Sequence, residues 1–97
     1  MKSIETPKMS EILREEFLIP YNLSAYRLAK AINVPNYRIY NILYNKSNVD
    51  AELSVRLGRF FGVSDNYFLT IQCNIDIHKA KMTLMNDVLK VKTIRDD

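Results

Sequence analysis

Cysteine occurs once, at Cys73, so no internal disulfide is available and the chain suits a reducing compartment. Histidine also occurs once, at His78 in a lysine-rich stretch, five residues from Cys73. That spacing puts no His and Cys on one helical turn, and no metal-ligand pattern, glycine-rich phosphate loop or nucleophile elbow is present. No apolar run approaches the roughly 18–20 residues a membrane span needs. The opening "MKSIETPKMS" lacks the apolar stretch of a secretion signal. The absences describe a small cytoplasmic protein that is not an enzyme and needs no metal, cofactor or small-molecule substrate. Its 97 residues suffice for one domain with a modest core.

The next absence is local. From Phe17 to Val49 there is no Asp or Glu. Residues 24–62 hold six bases (Arg27, Lys30, Arg38, Lys46, Arg56, Arg59) and two acids (Asp50, Glu52), a net +4 in a chain whose total is +3. A surface that excludes acids over this length suits an anionic partner.

Only two glycines and no convincing central strand point to an all-α fold of five helices. Ser10 is positioned to cap a first helix, with Glu11, Glu15 and Glu16 favoured in its early turns, and Pro20 stops it. Ser24 caps a second, ending at Asn33, a residue that tolerates left-handed backbone. A third runs from about Pro35 to Tyr44, with Asn45 as its stop. Asp50 caps a fourth, closed by Gly62. Ser64 caps a fifth and longest. The tail "VLKVKTIRDD" reads as a short strand or as disordered. The expected organisation is a flexible arm (1–9), a domain (10–86) and a tail (87–97).

The third helix divides into two arcs when placed at ~100° per residue. Ile39, Ile42 and Leu43 form an aliphatic arc that must face the core. Asn36, Tyr37, Tyr40 and Asn41 form an arc of hydrogen-bonding side chains, with Tyr44 beside it and Arg38 at the border. The Asn side chain matches adenine N7 and N6, and Tyr offers a ring for a thymine methyl and a hydroxyl for phosphate. A short helix, a brief turn and a helix opened by Pro35 is the arrangement that inserts a helix into the major groove. Asn36, Tyr37, Tyr40 and Asn41 are therefore the candidate base-reading residues. Ser24, Arg27, Arg38, Asn45 and Lys46 are the candidate phosphate contacts. Packing of the tyrosines against protein is the competing reading, and stacking on single-stranded nucleic acid is disfavoured because stacking platforms are usually sheet faces.

Read together, "ILREEFLIPYNLSAYRLAKAINVPNYRIYNIL" resembles the HigA (VapI-like) antitoxins, within the Xre/Cro helix-turn-helix regulators. The likeness rests on Leu13–Leu18, Pro20, Leu23–Ser24, Arg27–Ala31, Val34–Pro35, Arg38–Ile39 and Ile42–Leu43. It continues through "VRLGRFFGVSDNYFLTIQ", so that it spans about residues 7–75. Asn45 departs from the family's usual glycine, and Tyr67-Phe68 from its frequent Phe-Trp. The resemblance implies a lambda-repressor-like helix-turn-helix fold. It also implies a homodimer that binds a palindromic operator in double-stranded DNA, represses its own operon and neutralises a HigB/RelE-like mRNA-cleaving toxin. A stand-alone repressor without a toxin is the alternative. The arc residues vary within the family, so the resemblance assigns them to DNA reading without naming the sequence read. The fifth helix, through Tyr67, Phe68, Ile71 and Ile75 with Met82 beyond, is the expected dimer interface, because it carries more apolar surface than the core needs.

Overall fold

The computed structural model describes residues 7–88 and 90–95, without the side chain of Val88. The regular structure of the described residues is all helical, with no strand among them. Helix α1 (Met9–Leu13) runs directly into a π-helical stretch (Arg14–Leu18), followed by α2 (Ala25–Ala31), α3 (Asn36–Leu43), α4 (Ala51–Phe61), α5 (Tyr67–Thr83) and a single turn, α6 (Met85–Val88). Most of the expected arm, residues 1–6, lies outside the described residues, as do Leu89, Asp96 and Asp97 of the tail.

Local chemistry explains the boundaries. The Ser24 hydroxyl accepts the amide of Arg27 at 3.1 Å, and an Asp50 carboxylate oxygen accepts that of Leu53 at 2.8 Å. Both are N-caps as expected. Asn33 and Asn45 sit at φ of 64° and 62° just past α2 and α3, and Gly62 at 75° closes α4.

Three boundaries differ from expectation. Ser10 is not a cap: it lies inside α1, buried, and Lys8 holds the cap position, its amide donating to the Glu11 carboxylate at 3.0 Å. Ser64 is not the cap of α5: it supplies its carbonyl to the Tyr67 amide at 3.1 Å, and Asn66 precedes the helix. The long helix also breaks at Leu84 before α6, and residues 90–95 form turn and coil.

α1 packs on α3 and α5, α2 on α3, and α4 on α5. Between them lie the fully buried Leu13, Leu28, Ile39, Ile42, Leu53, Leu57 and Phe68. The Phe17 ring meets Phe61 and Phe68 at centroid distances of 4.6 and 4.9 Å, which joins the π-helical stretch to α4 and α5. Two further polar side chains are buried and satisfied. Ser54 donates to the Asp65 carbonyl at 2.7 Å and accepts the Leu69 amide at 3.0 Å. Gln72 accepts the Val49 amide at 3.0 Å and donates to Asp76 at 3.0 Å, so α5 holds the loop that leaves α3.

Candidate nucleic-acid interface

The two arcs of α3 are separated in space. Ile39, Ile42 and Leu43 are buried, while Asn36, Tyr37 and Tyr40 are exposed and Asn41 is half-buried. Pro35 precedes α3 in extended conformation (ψ 148°), and its carbonyl accepts the Arg38 amide at 3.1 Å. Tyr40 and Tyr44, one turn apart, stack nearly parallel with centroids 6.2 Å apart and planes 17° apart. Tyr37 and Asn41 border a shallow hollow with Ser47 and Asn48 of the following loop. The competing reading has the tyrosines packed against a neighbouring helix or another subunit; within the described protomer Tyr37 and Tyr44 are 64% and 63% exposed, which bears on the first form only.

The cations of residues 24–62 sort into two sets. Arg38 pairs with Asp50 at 3.2 Å and Glu52 at 3.4 Å, Arg56 with Glu52 at 3.1 Å, and Arg59 with Asp65 at 3.0 Å. Arg56 also donates to the Ile32 carbonyl at 2.9 Å, tying α4 to the end of α2. Arg27, Lys30 and Lys46 form no ion pair among the described residues. The uncompensated charge therefore sits on α2 and on the turn after α3.

Arg38, a candidate phosphate contact, pairs in this structure with two exposed carboxylates, and these pairs tie α3 to the start of α4. Asn45 is likewise engaged: its side-chain oxygen accepts the Ser10 hydroxyl at 2.8 Å, which ties the end of α3 to α1. Ser24 uses its oxygen in the cap and keeps its hydroxyl proton to donate. The expected dimer residues also divide. Phe68 is wholly buried in the protomer's own core and Ile75 nearly so, which removes both from any surface a partner could touch. Tyr67 and Ile71 are half-buried against that core.

Sequence reasoning missed Ser10 and Gln72 as positioning residues. The signal for Gln72 is its place on the face of Phe68 and Ile75, four residues from one and three from the other, where an amide needs a buried partner.

A curated relative, virulence-associated protein I of Dichelobacter nodosus, is 41% identical over 71 residues, covering 73% of this chain and 66% of its own length. The structure of an addiction module antidote protein of a HigA family from Coxiella burnetii is 30% identical, with a TM-score of 0.84 over 93% of this chain and 98% of that one. This chain belongs to the HigA family of helix-turn-helix antitoxins. Antitoxin GraA, solved in complex with its operator, superposes at a TM-score of 0.86 with 26% identity, over 99% of this chain and 98% of that chain. No family model matches the sequence. The HigA relatives support the helix-turn-helix fold, and α2 and α3 are its two central helices.

Proposed function

We propose that this HigA-family protein binds double-stranded operator DNA, inserting α3 into the major groove. The observation that carries the reading is the outer arc of α3. Asn36, Tyr37, Tyr40 and Asn41 present donors, acceptors and rings without net charge, and Arg27 and Lys46 flank them uncompensated. Base edges are read by such neutral groups, while phosphates are gripped by the flanking cations. The likeness to GraA, solved with its operator, supports the same role.

The protein acts as a homodimer on a palindromic operator of its own operon, with half-sites about 10 base pairs apart. Its dimer surface is the distal half of α5, where Ile77 and Met82 stand exposed, continued by Leu84 and Met85. The antitoxin partner is a HigB/RelE-like toxin, which membership of the HigA family supports.

The test separates reading from gripping. Asn36→Ala and Asn41→Ala should each weaken binding to the operator by about 1–3 kcal/mol, the worth of a good bidentate base contact, and change binding to scrambled duplex far less. Lys46→Ala should weaken both alike, because a phosphate carries no sequence information. Equal losses on both duplexes for the Asn variants, or lowered melting temperatures, would assign this arc to protein contact. Co-expression with the product of the neighbouring reading frame tests the toxin: a stable complex supports it, and no association leaves a stand-alone repressor.

A further inference from the structure

On the side of α2 that faces the first helix, an open groove of about 670 Å³ runs from the π-helical stretch to the end of α3. Its walls are neutral or apolar, with Leu18, Leu23 and Leu43 among them, and two guanidinium side chains stand at its border, Arg14 and Arg27. No acid lines it, and Arg14, exposed like Arg27, forms no ion pair among the described residues. A cleft with apolar walls and charge of one sign concentrates the field on whatever enters it. Arg14 lies in the part of the chain whose overall charge is negative, and no arc or periodicity singles it out. Its placement follows from the fold. The wider π-helical turn, closed by the Ile19 amide on the Arg14 carbonyl at 2.9 Å, precedes a bend in which Asn22 takes a φ of 52°. Across that bend the chain returns, bringing Ser24 and Arg27 to the same groove.

We infer that this groove seats a backbone phosphate of the bound duplex, held between Arg14 and Arg27, so that the first helix takes part in gripping DNA. The ligand is a phosphodiester, which fits two guanidinium forks and a neighbouring hydroxyl donor. The inference rests on the DNA-binding reading above and extends its charged border beyond α2 and the turn after α3.

The experiment measures the salt dependence of binding to a duplex of about three helical turns carrying the operator, and to a scrambled duplex of the same length. The wild type is compared with Arg14→Gln, Arg14→Lys and, as a control of equal charge loss in the exposed tail, Lys92→Gln. Arg14→Gln should lower the log–log salt slope by about 0.9 per protomer on both duplexes. Arg14→Lys should restore most of that slope, and Lys92→Gln should leave it unchanged. A second arm leaves the protein unaltered: a methylphosphonate is placed at each backbone position of the operator in turn. One position that weakens the wild type should have no further effect on Arg14→Gln. If the wild type binds and Arg14→Gln keeps its slope, or Lys92→Gln loses as much, the inference is overturned and the DNA reading stands. A wild type that binds neither duplex overturns both.

Discussion

Helices α3 and α5 handle apolar surface in different ways. α3 divides its residues around its circumference: one side is wholly buried, and the other carries asparagine and tyrosine into solvent. α5 divides its residues along its length. Its first half places Phe68, Gln72 and Ile75 in the core, and from Asp76 onward every residue of the helix is exposed. A helix that only flanks a core must be amphipathic across its axis. One that runs past the core edge, in a molecule 55 Å long, can be amphipathic end to end. Apolar residues on the two helices thus differ: Ile39, Ile42 and Leu43 of α3 are buried in the protomer, whereas Ile77 and Met82 of α5 stand 49% and 61% exposed.

Truncating one buried side chain of α3 and one exposed side chain of α5 should give the largest difference. Ile39→Ala should lower the unfolding free energy by about 2–5 kcal/mol, as for a fully buried aliphatic, whereas Ile77→Ala in dilute protein should change it by less than about 0.5 kcal/mol. Urea titration of both variants decides, and equal losses would end the lengthwise description of α5. Next is the root of α5. A Cβ on Gly58 would lie 2.4 Å from the Ser64 carbonyl oxygen, a backbone atom that cannot swing aside. Gly58→Ala should therefore destabilise by about 1–3 kcal/mol, against the ~1 kcal/mol that helix propensity alone would add in its favour. A thermal melt gives the sign directly. Gln72→Ala leaves the buried Val49 amide without its acceptor, with a loss of about 1–2 kcal/mol and faster hydrogen exchange at Val49. Protection at Val49 equal to wild type would show that α5 does not hold the loop after α3.

The smallest effect belongs to the Arg59–Asp65 pair beside the same junction. The hydrogen bond from Arg59 holds the Asp65 carboxyl below its ordinary range. A carboxylate depressed in the folded state contributes stability above its unfolded pKa of about 3.9 and loses it as pH falls through the folded value. Stability from this pair should thus stay level from neutral pH to about pH 4 and decline only below it. The pair is exposed and screened, so Asp65→Asn should change the acid limb of a pH–stability curve slightly and the neutral region hardly at all.

The all-helical class and the division of α3 were legible because they rest on short-range signals. Ser24, Asp50, Asn33, Asn45 and Gly62 act within a turn of themselves, and a single wheel separates Ile39, Ile42 and Leu43 from the Asn–Tyr arc. What was not legible depends on contacts far along the chain. Ser10 looks like a cap until it meets Asn45, thirty-five residues away. Arg38 looks like a free cation until α4 returns with Asp50 and Glu52. Phe68 and Ile75 look like spare apolar surface until the fold closes over them. Arg14 has no neighbour in sequence that announces its groove.

Among the described residues, three of the four with left-handed backbone are asparagines, Asn22, Asn33 and Asn45, and the fourth is Gly62. Asparagine enters this conformation with some strain, but it samples far fewer conformations than glycine when the chain is unfolded. Each of these bends therefore restricts the denatured ensemble as well as shaping the native one, an entropic effect that no native contact records. The turns on either side of α2 and the one after α3 are the places where the chain must reverse to build the helix-turn-helix. There the unfolded protein is already biased toward the reversals that folding requires.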